Sequence, residues 1–251
     1  MKIVAASIVR NSRKFIRTMI ESVRWVDQII VCDDHSNDET KKIINNLSKS
    51  IINLTLVSPF WQGTMMNYQK NGNRDISREL RIRNEFLKMI FEKFHPSVVV
   101  LIDADEIMSI TLLKYIKDIL GNGNYDSIAL GCIHVYDKKN YIHVYETTWN
   151  GVKMIDPHVR VLTKYKQYQR GEYQNVPDCF IKPDHNTLCL DVPCHYHLKY
   201  IKSLKKINYS FRFLPKNVDN KILKKEKYLR TYRFPFPDDL KQYVNNYFEI
   251  K

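Results

Sequence analysis

The segment Val98–Glu106, with the sequence VVVLIDADE, constrains the fold of this chain more than any other. Its five apolar residues include three valines and are typical of a buried strand, which then ends in three acids within four positions. Alternate residues of an extended segment share a side, so Asp103 and Asp105 are predicted to point the same way. Two such carboxylates need a positive partner, and a divalent cation with oxygen ligands supplies one. Taken alone, the segment also fits a solvated acidic corner.

Strand and helix patterns alternate through the first half, which predicts an α/β fold with a mostly parallel sheet flanked by helices. The predicted strands are residues 2–9, Gln28–Cys32, Leu54–Val57 and 98–102. Four helices are predicted in this half. The first begins at Asn11 or Ser12 and ends near Val23, and the second contains Ile43, Ile44 and Leu47. The third spans Ile76–Phe94, and the fourth runs from Ser109 to Gly121.

The pattern changes in the second half, where strands are predicted at Ser127–Tyr136, Tyr141–Thr148 and His158–Thr163. Residues 199–251 are predicted to be mostly helical. The hydrophobic content of 44% belongs to a globular chain and excludes a disordered one. No Gly- or Ser-rich linker separates the halves, so the second half is expected to pack onto the first as a subdomain.

The net charge of +13 is concentrated near the carboxyl terminus. Residues Lys199–Arg233 contain twelve lysines and arginines against two acids, with tyrosines and phenylalanines between them. Basic residues mixed with aromatics suit an anionic membrane surface or a polyanion, although a solvated helical face has the same pattern. No stretch is long enough to span a bilayer, so a soluble, cytoplasmic protein with peripheral membrane contact is expected.

The five cysteines form no C-x-x-C pair and mostly have apolar neighbours. This usage predicts buried free thiols in a reducing compartment. A zinc site built from the cysteine and histidine residues near the end of the second half is an alternative, although the spacing matches no common zinc pattern. The residues concerned are Cys189, Cys194, His195 and His197.

The carboxyl ends of parallel strands meet at one edge of a sheet, where open α/β folds bind their ligands. That edge is predicted to gather Arg10, Asp33, Asp34, Asp103 and Asp105. The sequence has neither a G-x-G-x-x-G fingerprint nor a Gly-rich phosphate loop. Any phosphate bound at this edge would therefore be neutralised by a metal ion and by basic side chains.

Two segments resemble motifs of family 2 glycosyltransferases of the GT-A fold. Val31–Thr40 (VCDDHSNDET) resembles the family segment VVDDGSTDGT. Arg83-Asn84, followed after a helix by Leu101–Glu106, is similar to the family stretch ARN…LDADE. The match covers roughly residues 1–110 in order and spacing. The chain departs from the family at His35 and Glu39, where glycine is common.

The resemblance implies a nucleotide-sugar donor, with a UDP-sugar as the first candidate. Carried over by position, Ala5, Arg10 and Asp34 would hold the nucleotide, with a carboxylate contacting the base. Asp33 is a second candidate for that carboxylate. Arg83 would bind near the diphosphate.

The same resemblance implies a metal site in the D-x-D segment Asp103-Ala104-Asp105. Asp105 would ligate Mn²⁺ or Mg²⁺, and Asp103 would contact the ribose, or the metal through a water molecule. The implied chemistry is coherent, because departure of a nucleoside diphosphate develops negative charge that a divalent Lewis acid stabilises. Carboxylate oxygens suit both of these ions.

An inverting transfer also needs a base for the hydroxyl of a glycan, lipid-linked or protein acceptor. The strand at His158–Leu162 followed by Val176-Pro177-Asp178 is similar in order to the family's RLF strand and V-H-E motif, with proline in place of histidine. Asp178 is therefore the first candidate for the base, and Asp191 is the second. Glu146, Asp156 and Asp184, which also follow the D-x-D segment, are the other candidates.

The segment Cys194–His197 is similar to the HYH that follows in such sequences. One of its imidazoles would complete the metal shell or hydrogen-bond the diphosphate. His195 and His197 share a side if the segment is extended, and His195 is slightly preferred.

These expectations divide the chain into a nucleotide-sugar-binding half at 1–120, an acceptor-side half at 121–198 and a basic extension at 199–251. A nucleotidyltransferase is a weaker alternative, because Asn11-Ser12-Arg13-Lys14 contains no glycine. The basic carboxyl-terminal region leaves open a nucleic-acid-binding protein or metal nuclease. Nothing in the first half resembles a nucleic-acid module, so nucleic acid ranks below the sugar donor as a partner.

Overall fold

The structure is a computed structural model of the chain. It describes residues 1–65, 75–136, 140–142, 146–173, 176–192, 194–198, 229–231 and 237–249. Within these ranges, no helix combines the length and the apolar character needed to cross a membrane.

Sixteen strands and five helices are described within these ranges. The strands are β1 (Ile3–Val9), β2 (Gln28–Asp33), β3 (Leu54–Val57), β4 (Val98–Leu101), β5 (Glu106–Met108), β6 (Ser127–Leu130), β7 (Ile133–Val135), β8 (Asn140–Ile142), β9 (Glu146–Trp149), β10 (Val152–Ile155), β11 (His158–Leu162), β12 (Gln169–Tyr173), β13 (Val176–Phe180), β14 (Thr187–Leu190), β15 (His195–His197) and β16 (Leu229–Thr231). The helices are α1 (Ile16–Ser22), α2 (Thr40–Leu47), α3 (Ile76–Phe94), α4 (Leu112–Asn122) and α5 (Asp238–Glu249).

A seven-stranded sheet lies at the centre, in the order β14-β6-β11-β4-β1-β2-β3. Strand β1 pairs in parallel with β2 and with β4. The pairs β2–β3 and β6–β14 are also parallel, whereas β11 is antiparallel to its two neighbours, β4 and β6. The predicted α/β fold with a mostly parallel central sheet is confirmed. Strands β6, β11 and β14 come from the second half of the chain, so both halves share this sheet.

The first-half elements follow from their apolar patterns. Strand β4 is buried along its whole length, as expected for a parallel strand covered on both faces. Helix α3 begins where the Asp75 side chain accepts a hydrogen bond from the Arg78 backbone, and it ends at His95 in the left-handed conformation. Helix α4 extends past the predicted end at Gly121, because the left-handed residue that ends it is Gly123.

The second half differs from the prediction because two of the predicted strands divide between sheets. The segment predicted at Ser127–Tyr136 forms β6 in the central sheet and then β7 in a second sheet. Gly131 lies between these two strands, where an added Cβ atom would lie 3.2 Å from the Ile155 carbonyl oxygen. The segment predicted at Tyr141–Thr148 likewise divides into β8 and β9.

The second sheet has the order β16-β8-β7-β15-β5. It brings together Glu106 on β5, His134 on β7 and both histidines of β15. In register, His197 lies opposite Glu106 on one side and opposite His134 on the other. Strand β5 of this sheet begins at Glu106, shortly after β4 ends at Leu101, so the sheet lies beside the carboxyl edge of the central sheet.

Most of the basic segment Lys199–Arg233, for which a helix and membrane contact were predicted, lies outside the described residues. Its described part, β16, is a short strand rather than a helix. Helix α5 agrees with the helical prediction, and its Asp239 carboxylate accepts hydrogen bonds from the Ser109 hydroxyl and the Ile110 backbone. Leu240 is fully buried, so this helix is packed against the domain.

Candidate functional site

Strand pairing places the predicted acids at one edge of the central sheet. Val9 at the end of β1 pairs with Asp33 at the end of β2, and the Asp34 backbone donates to the Val9 carbonyl over 2.7 Å. On the other side of β1, the Ile102 backbone donates to the Ala6 carbonyl over 3.2 Å, just before Asp103. Strand β11 runs in the opposite direction, so it contributes its amino end to this edge.

The turn after β2 contains His35 at the position where the similar family segment commonly has glycine. His35 has φ +54°, a left-handed conformation that glycine adopts readily and other residues adopt at a cost of about 1–2 kcal/mol. The Ser36 hydroxyl accepts from the Asn11 backbone at 2.9 Å, which joins this turn to the loop after β1. Asp38 accepts from the Thr40 backbone at 2.9 Å, at the start of α2.

The two acids of this turn have different surroundings. Asp34 is 1% exposed, and its carboxylate accepts hydrogen bonds from the Trp61 indole at 2.7 Å and from the Met65 backbone. It therefore anchors the loop after β3. Asp33 accepts from the Ser36 backbone through Oδ2, while its buried Oδ1 has no hydrogen-bond partner among the described residues. Asp33 therefore has one carboxylate oxygen left for a further hydrogen bond, whereas both oxygens of Asp34 already accept one.

The two remaining nucleotide candidates lie on β1 or just beyond it. Ala5 lies in the middle of β1 between Ile29 and Val100, and it is fully buried in the core. The structure thus gives Ala5 no surface at the edge. Arg10 follows the last residue of β1 and is exposed, so its side chain is at the edge and accessible.

A ladder of alternating charges, which we call the ionic ladder, crosses the end of β4. Arg83 Nε lies 2.9 Å from Glu79 Oε1, and Arg83 Nη1 lies 3.9 Å from Asp103 Oδ1. Arg160 Nη2 lies 3.0 Å from Asp103 Oδ2 and 2.5 Å from Glu106 Oε1. Desolvation opposes ionisation of Asp103, but Arg160 and Arg83 outweigh it and hold the pKa of this carboxyl well below its usual range.

The ladder ends in the interior at Glu106 and His195. Burial raises the pKa of Glu106, yet the attraction of Arg160 and His195 is larger, so the net shift is downward. His195 Nε2 lies 3.2 Å from Glu106 Oε1, while its Nδ1 has no hydrogen-bond partner among the described residues. Complete burial lowers the pKa of His195 despite the neighbouring carboxylate.

A cleft of about 310 Å³, including its open mouth, lies against the exposed end of the ladder. Its polar walls are Ser7, Arg83, Asp103, Arg160 and Tyr168. The Tyr168 ring lies 5.4 Å from the Arg83 guanidinium carbon. The buried Ser7 hydroxyl has no partner among the residues that the structure describes. Two guanidinium groups and a free hydroxyl suit an anionic, oxygen-rich ligand.

Asp105 belongs to a second chain of polar contacts, which meets the ladder where the ring centroids of His158 and His195 lie 6.2 Å apart. Its Oδ1 lies 3.1 Å from His197 Nε2, and His197 Nδ1 lies 3.1 Å from His134 Nδ1. His134 Nε2 lies 2.6 Å from Asp156 Oδ2, and Asp156 Oδ1 lies 3.3 Å from His158 Nε2. We call these five residues the imidazole chain. Asp103 and Asp105, which were predicted to act together, thus contact different partners.

The donor atoms of Asp105 and His197 fit a divalent cation. Two ligands at right angles in an octahedral magnesium site lie about 3 Å apart, close to the separation of Oδ1 and Nε2. Both side chains are partly accessible, at 29% and 15% exposure. Asp103 is held by two guanidinium groups, which leaves it better suited to a supporting role than to direct ligation. Of the two histidines proposed as ligands, it is His197 that faces an acid of the D-x-D segment.

Two buried groups that share Cys132 also bring metal-ligating atoms within 4.8 Å of one another. The first is Glu106, Cys132 and His195, and its carboxylate is already paired with Arg160. The second is Cys132, His134 and Asp156. Burial, with Glu106 and Asp156 nearby, raises the pKa of the Cys132 thiol well above its ordinary value. Cys189, named in the alternative zinc site, belongs to neither group.

The two candidate bases lie on different parts of the second half. Asp178 is in β13, which pairs with β12 and packs against α3, and its Oδ1 accepts from the Cys179 backbone at 2.8 Å. Asp191 is exposed and follows β14, the outermost strand of the central sheet. Three strands, β6, β11 and β4, separate β14 from β1 in the sheet order.

Several site residues were not predicted from the sequence, namely Ser7, Glu79, His134, Arg160 and Tyr168, and Asp156 was predicted only as an alternative base. One signal was available, because Asp156, His158 and Arg160 alternate with apolar residues in and before β11. Arg160 is also the extra residue of a bulge between Val159 and Val161, and bulges redirect side chains near functional sites.

Comparison with known proteins gives partial structural similarity. No protein-family model and no curated protein matches the sequence. S. aureus TarS matches 55% of this chain and 22% of that chain, at 20% identity and a TM-score of 0.42. TarS 1–349 with UDP-GlcNAc matches 54% of this chain and 35% of that chain, at 20% identity and a TM-score of 0.41.

A third solved structure is the mannosyltransferase PcManGT from Pyrobaculum calidifontis in complex with GDP-Man and Mn²⁺. It matches 55% of this chain and 36% of that chain, at 17% identity and a TM-score of 0.38. This chain therefore covers well under half the length of each of these three solved structures.

Proposed function

We propose that this protein is a metal-dependent glycosyltransferase that moves a sugar from a nucleotide-diphosphate sugar to a hydroxyl of an acceptor. The observation that carries the proposal is that β2, which ends at Asp33, and β4, which precedes Asp103 and Asp105, flank β1 in parallel, with Arg83 Nη1 3.9 Å from Asp103 Oδ1. These residues come from separate segments that resemble family 2 glycosyltransferase motifs in sequence. Their grouping provides a base-binding acid, cations for phosphate and an oxygen ligand for a metal.

The donor would lie across this edge, with its base toward Asp33 and its diphosphate toward Arg83. Asp33 Oδ1 is buried without a partner among the described residues and can accept a hydrogen bond from a base N–H. Arg83 is 20% exposed beside the cleft, so its guanidinium can reach phosphate oxygens while Glu79 and Asp103 hold it in place.

Asp105 and His197 would hold Mn²⁺ or Mg²⁺, which stabilises the charge that develops on the departing diphosphate. The protein would contribute one carboxylate oxygen and one imidazole nitrogen as ligands, and the ion would supply positive charge beside the diphosphate. The protein's own part is to orient these two donors and to keep Asp103 ionised between Arg83 and Arg160.

Proton removal from the acceptor hydroxyl is assigned to Asp178, with Asp191 as the alternative. The transfer is proposed to invert the anomeric centre, because a single base and direct displacement need no covalent sugar intermediate. A glycan, a lipid-linked sugar or a protein would supply the hydroxyl. The basic segment Lys199–Arg233 would bring the enzyme to an anionic membrane or acidic glycan that carries this acceptor.

A donor screen by thermal shift tests the function. We expect a rise in melting temperature only when a nucleotide sugar and Mn²⁺ are both present, because ligands that bind the native state stabilise it. A paired assay measures nucleoside diphosphate release from UDP-, GDP- and CDP-sugars. Arg83→Gln should weaken nucleotide diphosphate binding on the order of 10- to 100-fold, since a charged hydrogen bond contributes about 1.5–3 kcal/mol.

Arg81→Gln is the matched control on the same helix, because Arg81 is more than half exposed and pairs with Glu85. This control should bind the donor as the wild type does. A chain that is stabilised by no nucleotide sugar, with or without metal, and binds polynucleotides tightly would overturn the proposal. In that case the basic carboxyl-terminal region would indicate a nucleic-acid-binding protein.

The membrane part of the proposal has its own test. Vesicles containing anionic lipid should co-sediment the protein at low salt and release it at high salt, because the attraction is electrostatic. Neutral vesicles are the control. Absence of binding to anionic vesicles at low salt would remove this part and leave the donor site unaffected.

A further inference from the structure

A side-chain amide on α3 holds the backbone of the segment that leads into β12. Asn84 Nδ2 donates to the Tyr168 carbonyl over 3.0 Å, and the Tyr168 backbone N–H donates to Asn84 Oδ1 over 2.6 Å. The two residues are 84 positions apart, so this contact joins the two halves of the chain. An amide both donates and accepts, whereas an ionised carboxylate of the same shape only accepts. One side chain thus satisfies both backbone polar groups of Tyr168.

The backbone held in this way places the Tyr168 side chain against the helix neighbour of Asn84. The guanidinium carbon of Arg83 lies over the Tyr168 ring, 5.4 Å from its centroid, within the range at which a cation is attracted to an aromatic face. Consecutive helix residues point roughly 100° apart, so Asn84 reaches the backbone of Tyr168 while Arg83 reaches its ring. Arg83 and Tyr168 both line the cleft at the exposed end of the ionic ladder.

The other contacts of Arg83 restrain only part of its guanidinium group. Nε lies 2.9 Å from Oε1 of Glu79, which is fully buried. Nη1 lies 3.9 Å from Asp103 Oδ1, a separation longer than a hydrogen bond. Glu79 therefore restrains one nitrogen from the interior, and the Tyr168 ring restrains the group from the side of the cleft.

We propose that Asn84 and Tyr168 are positioning residues that hold the Arg83 guanidinium in place for the diphosphate of the donor. The inference rests on the proposed function, in which Arg83 binds phosphate oxygens. A flexible arginine side chain loses rotamer freedom when it binds a ligand, and a side chain that is already held loses less. Asn84 acts through Tyr168, and Tyr168 acts through Arg83.

A purely structural role of Asn84 is the competing explanation. Tyr168 immediately precedes β12, and the β12–β13 hairpin packs against α3. The Cys179 thiol also lies 3.7 Å from the Ile76 carbonyl oxygen, which is a second link between the hairpin and this helix. If Asn84 only attaches the hairpin, its loss lowers stability and leaves Arg83 as ordered as before.

The order of the Arg83 side chain is the direct readout. Relaxation of the arginine Nε–H groups in the full-length, ¹⁵N-labelled protein gives an order parameter for each side chain on the picosecond to nanosecond timescale. We expect a high value for Arg83 in the wild type and a clear decrease in Asn84→Ala and in Tyr168→Leu. Asn46→Ala makes the same substitution at an exposed position of α2 and is the matched control, with Arg83 unchanged. An equally ordered Arg83 in the wild type and in both variants would overturn the inference without any reference to sugar transfer.

Nucleotide affinity is the second readout. Calorimetry in the presence of Mn²⁺ uses whichever of UDP, GDP and CDP the wild type binds most tightly, together with the matching nucleoside monophosphate. Asn84→Ala and Tyr168→Leu should each raise the dissociation constant of the diphosphate about 2- to 10-fold, the effect of ordering one long side chain. The constant of the monophosphate should rise by less. An equal rise for both nucleotides would indicate a general loosening of the fold and would contradict the positioning role.

The outcomes separate this inference from the proposed function. If the wild type and both variants bind the diphosphate equally well, the positioning role is wrong and the transferase proposal stands. If the wild type binds none of the three diphosphates, the proposed donor site and the positioning role both fail. Circular dichroism and thermal melting of each variant exclude unfolding as the cause of lost affinity, and Tyr168→Leu remains informative if Asn84→Ala does not fold.

Discussion

The guanidinium group of Arg160 lies between two acids, with Nη2 3.0 Å from Oδ2 of Asp103 and 2.5 Å from Oε1 of Glu106. One of these acids is 41% exposed at the cleft and the other is 3% exposed in the interior. Arg160 therefore connects the accessible end of the ionic ladder to the core. Removing its charge would affect the two acids differently.

Arg160→Met is expected to lower the free energy of unfolding by about 3–5 kcal/mol, because it leaves Glu106 as a buried charge without its main partner. Urea denaturation measures the change. Arg81→Met, at an exposed position of α3, is the control and should stay within about 0.5 kcal/mol. Adding Glu106→Gln to Arg160→Met should recover part of the loss. No recovery would mean that the unpaired charge is not the cause.

Asp178→Asn is expected to reduce kcat by about 100- to 10,000-fold if Asp178 is the base that receives the acceptor proton. The amide has the same shape but cannot take up the proton, so the dissociation constant of the donor should stay unchanged. Steady-state kinetics and calorimetry measure the two quantities. Full activity of Asp178→Asn together with loss of activity in Asp191→Asn would transfer the role to Asp191.

Gly171→Ala is expected to destabilise the β12–β13 hairpin that carries Asp178. The Phe180 ring lies against Gly171, where an added Cβ atom would overlap it. Overpacking of this kind costs about 1–3 kcal/mol unless the ring moves. Gly121→Ala is the matched control, because a Cβ atom in α4 meets nothing within 4 Å and should stabilise the helix by about 0.5–1 kcal/mol. Equal effects of the two substitutions in thermal unfolding would contradict this account.

Stability is expected to decrease as the pH falls below about 6.5, the ordinary pKa of histidine in an unfolded chain. Burial lowers the pKa of His195 and of His134 in the folded protein, despite Glu106 and Asp156 beside them. Between the folded and unfolded pKa values the unfolded chain binds more protons, so acid favours it. The stabilisation is complete above about pH 6.5 and is lost as pH falls toward the folded values.

Each such histidine contributes at most about 1.4 kcal/mol per pH unit to the slope of the free energy of unfolding against pH. Urea denaturation at neutral and mildly acidic pH measures the slope, and His195→Gln should reduce it. An identical slope in wild type and His195→Gln would show that this imidazole does not remain neutral in the folded state.

The sequence by itself determined most elements of the first half and the acids at the ends of their strands. The exceptions are β5, which was not predicted, and α1, which begins at Ile16 and not at the predicted cap Asn11 or Ser12. Helix α3 has the predicted bounds Ile76–Phe94, and β4 begins at the predicted Val98. These segments are readable because burial on one face of a helix, or on both faces of a parallel strand, leaves a local apolar pattern. The edge that gathers Asp33 and Asp103 follows from parallel pairing.

Only the tertiary structure decided which polar groups meet at that edge. His134 and His197 are 63 positions apart and become neighbours through a strand pairing that has no local signature. Asp34 is enclosed by Trp61, and Arg160 reaches Asp103 through a bulge, although each pair is distant in sequence. The physical reason is that apolar periodicity records whether a segment is buried, whereas hydrogen bonds and ion pairs depend on which segments lie side by side.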